Sequence, residues 1–210
     1  MARYALSMAL ALALLAACAK TVLVPVPPRM DLKPYGALGI VDFGTNYERA
    51  LGARAARQFQ EQVQGGQPGT PFIELGDRDL LLASIGARQL DAAALKRIGE
   101  KHGVAAVFVG ELSYSDPILD VRVTDATKGQ GALRAEVRAD ISSRLIETAT
   151  GASVWSRSAS TKRQIGGVSV SDQGVRGGMK DSNPREAMVQ ALVYQITHDF
   201  RPSATRQPAP

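Results

Sequence analysis

The chain has 210 residues, 45% of them hydrophobic, and its 25 Lys and Arg exceed its 20 Asp and Glu for a formal charge of +5. That length supports one domain with a real core plus appendages. A lone cysteine, Cys18, excludes an internal disulfide, and with no basic run longer than two residues the charge surplus reads as solvated surface, not as a nucleic-acid footprint. Anionic lipid, glycan polymers or acidic protein faces are the partners such a surface suits.

Arg3 precedes an apolar run from Ala5 to Ala17 broken only by Ser7, too short for a membrane-spanning helix of about 20 residues. Residues 1–17 therefore read as a secretory signal. Ala16 and Ala17 are small enough for a peptidase to close on the backbone and cut between Ala17 and Cys18, and the thiol of Cys18 is a nucleophile that can take a diacylglycerol through a thioether. Leu15-Ala16-Ala17-Cys18 resembles the lipobox of bacterial lipoproteins. By that resemblance Cys18 is lipidated, and Ala19 and Lys20 in place of an aspartate imply sorting to the periplasmic face of the outer membrane.

Residues 18–34 carry Pro25, Pro27, Pro28 and Pro34, which favour extended polyproline II and oppose strand pairing. They read as a tether reaching up to roughly 50 Å at about 3.1 Å per residue. A single domain is expected over 35–200. Gly36 to Phe43 is a short apolar run bounded by turn residues, a buried strand. Thr45 and Glu48 have capping-box spacing before a helix in which Leu51, Ala55, Phe59 and Val63 recur every four residues, until Gly65, Gly66, Pro68 and Gly69 stop it. Thr70 to Leu75 suits a second strand; Asp77 caps a short helix, and Asp91 caps another that Gly103 ends.

Val104 to Leu112 is nearly all apolar, as a central strand covered on both faces requires. From Leu133 to Leu145 the odd positions are apolar or small and the even ones from Arg134 to Arg144 polar, which is a strand with one wet face. Ser153 to Thr161 continues as a strand bearing the only tryptophan, Trp155, read as a sheet-face anchor. Residues 164–183 read as a glycine-rich loop, Asn183-Pro184 opens a last helix ending near Phe200, and residues 201–210, with three prolines, read as a disordered tail.

Catalytic constellations are missing from the sequence: it has two histidines and no G-x-S-x-G, P-loop or H-E-x-x-H pattern. His102 suits the last turn of its helix and His198 lies near the end of the final one, while Asp77 and Asp79 are explained by a helix start. No ligand spacing points to a metal or cofactor, and none is expected. The candidate site is the loop from Lys162 to Lys180, in which Lys162, Arg163, Arg176 and Lys180 accompany Gly166 and Gly167 and could cradle an anionic or peptide partner.

Gly39-Ile40-Val41-Asp42-Phe43, Asp77-Arg78-Asp79-Leu80, the run from Ile98 to Gly110, and Thr150-Gly151 with Val154-Trp155-Ser156 together resemble a superfamily of bacterial lipoproteins. It comprises the curli-secretion lipoproteins, the penicillin-binding-protein activator lipoproteins and, more distantly, the N-terminal domain of TolB. The resemblance spans about residues 36–200. It implies an α/β (α+β) fold, a three-layer sandwich of a mixed sheet with helices on its faces. It also implies a non-enzymatic adaptor or regulator of cell-envelope assembly, such as a peptidoglycan synthase activator, with an envelope protein as partner and no nucleic acid. Two alternatives stay open: a homo-oligomeric, ring-shaped secretion channel with hairpins from residues 118–163, and a periplasmic hydrolase, which the sequence disfavours.

Overall fold

A computed structural model describes residues 21–125, 128, 130–171, 174–178 and 183–208. Ala17, Cys18 and Lys180 lie outside them. The strands are β1 (Thr21–Val26), β2 (Leu38–Val41), β3 (Gly44–Thr45), β4 (Phe72–Gly76), β5 (Ala106–Tyr114), β6 (Ile118–Asp125), β7 (Gln130–Glu147), β8 (Ser153–Ser171), β9 (Gly174–Gly178) and β10 (Ser203–Pro208). Four α-helices, α1 (Arg49–Gly66), α2 (Arg78–Ser84), α3 (Ala92–His102) and α4 (Pro184–Ile196), lie among the described residues.

One mixed sheet of eight strands runs β4-β2-β5-β7-β8-β9, with β3 also on β5 and β6 also on β7. β2 pairs in parallel with β4 and β5, and every pairing from β7 onward is antiparallel. The period-two pattern of β5 decides the layers. Ala106, Phe108 and Leu112 join the apolar faces of α1 and α4 in one core, whereas Val107 and Val109 meet Leu81, Leu95 and Ile98 of α2 and α3 in a second. This is the expected three-layer arrangement. The larger core is aromatic at its centre: the ring of Phe59 lies 4.9 Å from Phe108 and 5.9 Å from Phe200, and Trp155 lies 4.7 Å from Phe200. Such tilted and edge contacts add about 0.5–1.5 kcal/mol per pair beyond area burial.

Helix ends follow local chemistry in three places. Asp77 accepts from the backbone N–H groups of Asp79 and Leu80, Asp91 accepts from Ala94, and Gly103 at φ 67° ends α3 in the left-handed region. At α1 the expected capping box does not form. Thr45 is drawn into β3 against Leu112, its hydroxyl accepts from Tyr47 N–H, and the N-cap residue Glu48 makes no side-chain capping bond.

Four further expectations are corrected. Residues 21–26 are not a free tether and 203–208 are not disordered, because β1 and β10 pair antiparallel from Thr21 opposite Pro208 to Val26 opposite Ser203. A two-stranded ribbon uses the N–H of only alternate residues, so Pro25 is accommodated there. The domain also begins before residue 35. Leu32 is fully buried, and the Gln67 side chain accepts from its N–H at 2.9 Å and donates to the Met30 carbonyl at 2.5 Å. Residues 164–171 and 174–178 are not loop but the end of β8 and all of β9, since the long β7 offers a ladder to which Gly131 through Ala135 bind Val170 through Gly166.

Asp199 ties the chain's end to the sheet. Its carboxylate accepts from Trp155 Nε1 at 3.2 Å and pairs closely with Arg157, its carbonyl accepts from Met30 N–H, and Arg29 stands 3.9 Å away. Burial pushes its pKa up, but the hydrogen bonds from Arg157 and Trp155 and the charges of Arg157 and Arg29 outweigh it and hold the carboxyl below the usual carboxylate range.

Candidate interaction surface: a two-faced β-arm

The long β7–β8 hairpin outruns the helices that cover it. On the face of β7 turned toward α4, Val137, Ala139 and Ile141 are buried in the larger core, yet Leu133, four residues on from Val137, is 37% exposed. β6 and β9 flank this distal part, making an arm of four strands. Directly paired residues share a face, and the register puts Val121 opposite Leu133, Leu133 opposite Val168, and Val170 opposite Val175. Leu119 and Val123 stand two residues either side of Val121 on that face. The result is an apolar sheet face open to solvent, with Leu119 62%, Val121 67% and Val175 70% exposed.

The opposite face is polar. On β7 it carries Arg134, Glu136, Arg138, Asp140, Ser142 and Arg144, matched on β8 by Gly167, Gln164, Lys162, Ser160, Ser158 and Ser156. Arg138 pairs with Asp140 at 2.9 Å and Arg122 with Asp120 at 3.0 Å. A bulge near Ile165 shifts the register between Ala135 and Glu136, and so keeps both faces continuous along the twisted hairpin.

The candidate residues from the sequence divide between these faces. Lys162, Gly167 and Arg176 belong to the polar face, because they stand opposite Arg138, Arg134 and Ser169. Arg163 and Gly166 stand opposite Val137 and Ala135, on the apolar side. What a loop reading missed was pairing partners; the alternation of Val168, Val170 and Val175 with serine, arginine and glycine was the available signal.

A second concavity lies at the C-terminal ends of β2 and β4. The crossover helix α1 covers one face and α2 with α3 the other, so the chain reverses its winding at β2, where open sheets form crevices. Asp42, Arg49, Asp77, Arg78 and Asp79 line about 390 Å³ there. Burial, then the charge of Asp77, raises the pKa of Asp42. Asp77 is engaged as a helix cap, and Arg78 is held by Glu111 at 2.6 Å and by the Gly110 carbonyl at 3.3 Å. Neither His102 nor His198 lines this crevice. Among the described residues no group of three or more His, Cys, Asp or Glu is placed to hold a metal ion.

No protein-family profile matches the chain, and no curated protein matches it in sequence. Among solved structures it is similar to the PelC dodecamer from Paraburkholderia phytofirmans, with 12% identity, 87% of this chain and 98% of that one covered, and a TM-score of 0.42. It is similar to lipoprotein GNA1162 from Neisseria meningitidis, with 14% identity, 76% and 96% covered, and a TM-score of 0.35. It is also similar to the LpoB C-terminal domain from Escherichia coli, with 14% identity, 63% and 87% covered, and a TM-score of 0.35. Each of these likenesses is one of fold alone.

Proposed function

We propose that this chain is a non-enzymatic lipoprotein of the outer membrane, anchored on the periplasmic side through Cys18, that acts as an adaptor by docking its β-arm on another envelope protein. The observation that carries the reading is the open apolar face of the arm, from Leu119, Val121 and Val123 across Leu133 to Val168, Val170 and Val175. A contiguous apolar face rimmed by charge is what a partner surface supplies with its missing second layer.

A photo-crosslinking residue at Val121 in intact cells tests this. A discrete adduct with a different envelope protein, lost when Leu133→Asp is added and when Cys18→Ser frees the chain from the membrane, is the expected result. Adducts with lipid only, or no adduct, refute it.

The ring-shaped channel is the second reading, favoured by the amphipathic alternation of the same arm. Against it, the exposed apolar stretch of β6 runs only from Leu119 to Val123, whereas a spanning strand needs about 9–11 residues. Self-adducts from Val121 together with conductance in a planar bilayer would replace the adaptor with the channel.

A further inference from the structure

The polar face of the arm contains a depression that packing does not explain. Its volume is about 380 Å³, and its lining includes Arg134, Gln164, Gly167, Ser169, Arg176 and Gly178, with Leu133 and Val168 in the strands beneath. Arg134, Gly167 and Gly178 form one cross-strand row, and Ala132, Ser169 and Arg176 the next, so two guanidinium side chains flank a floor of glycine. Among the described residues the lining contains no acid, and neither Arg134 nor Arg176 has a carboxylate within ion-pair distance.

The glycines of the floor have different reasons to be there. A Cβ on Gly167 would come within 2.9 Å of Gln164 Nε2 and 3.1 Å of the Leu133 carbonyl, so a larger residue there would displace the glutamine amide and crowd the neighbouring strand. A Cβ on Gly178 would meet nothing within 4 Å, and its φ is not positive. Neither packing nor backbone conformation calls for glycine at 178. Its effect is to keep the floor open between the two arginines.

We propose that this depression binds the carboxylate groups of an acidic polysaccharide. Guanidinium forks accept carboxylates in two parallel hydrogen bonds. Beyond the depression the same face offers Lys162, Ser160, Ser158, Ser142 and Arg144; it also carries Glu136 and two other acids, Asp140 and, opposite Arg134, Asp120, which are taken up by Arg138 and Arg122. A protein partner would want aromatic or aliphatic anchors at the centre of its footprint. Among the described residues of this face the one large apolar side chain is Ile118, at the margin. The site is on the opposite side of the arm from the docking face proposed above and stands independently of it.

The test titrates the full lipidated protein, in neutral detergent, with oligogalacturonate, dextran and poly-glutamate of matched length. Oligogalacturonate should bind with an affinity that falls as salt rises, dextran should not bind, and poly-glutamate should bind at least tenfold more weakly. Arg134→Gln and Arg176→Gln should each weaken oligogalacturonate at least fivefold. Gly178→Leu should do the same by filling the floor, with the thermal midpoint unchanged. Failure of oligogalacturonate to bind, equal binding of dextran, equal or tighter binding of poly-glutamate, or unaltered affinity in these variants overturns the proposal. None of these outcomes changes the crosslink expected from Val121.

Discussion

Val137 and Leu133 occupy the same face of the same strand, four residues apart, and a charge at each separates core from docking surface. Val137 is fully buried, and Leu133 is 37% exposed. Placing aspartate at 137 removes the valine's apolar burial and puts a carboxyl group into the larger core with Ala139 and Ile141, on a strand whose ladder partner at that position is Arg163. Lost burial costs about 1.5 kcal/mol and the polar group about 2 kcal/mol or more, so about 4 kcal/mol in total. At roughly 2–4 °C per kcal/mol for a domain of this size, Val137→Asp should lower the thermal midpoint by about 8–16 °C. Leu133→Asp stays near water and should cost within about 1 kcal/mol, or about 2–4 °C. Both variants are made in the Cys18→Ser background and followed by circular dichroism. The penalty at 137 should also shrink toward low pH, because burial raises the pKa of the new carboxyl and protonation relieves it. A midpoint shift at 137 under about 3 °C, or equal shifts at both sites, would refute the division of this face into core and arm.

Asp199→Asn should destabilise by about 1–3 kcal/mol at neutral pH, since the half-buried carboxylate gathers Arg157, Trp155 and Arg29. The pKa of Asp199 is depressed in the folded state, so its contribution is full above the unfolded value of about 3.9 and fades as pH falls through the folded one; denaturant titrations from pH 7 to pH 2.5 should show wild type and variant converging. Gly52→Ala should cost about 1–3 kcal/mol, because its Cβ would stand 2.1 Å from the Phe43 carbonyl, a backbone atom that cannot swing aside. Gly65→Ala in the same helix meets nothing within 4 Å and should be neutral or stabilising by about 0.5 kcal/mol in the same urea titration. Deleting residues 203–210 removes only the strand that pairs with β1, and scanning calorimetry should find the main transition within about 2 °C of wild type.

Short-range physics accounts for what the sequence determined by itself. The four-residue recurrence of Leu51, Ala55, Phe59 and Val63 places α1 on the sheet, the unbroken apolar run of β5 requires cover on both faces, and Asp77, Asp91 and Gly103 mark helix ends because their partners lie within four residues. From such elements the three-layer class follows. Tertiary structure alone decided the pairings between distant segments. Thr21 meets Pro208, and Val168 meets Leu133, through backbone ladders that leave no mark in local composition, which is why a proline-rich segment and a glycine-rich one passed for tether and loop. Tertiary structure also decided that Lys162 and Arg163, neighbours in the chain, belong to opposite faces of the arm, and that Arg134 and Arg176, far apart in the chain, line one depression. Side-chain alternation is fixed by the strand, but which strand a residue joins, and in which register, depends on partners elsewhere in the chain.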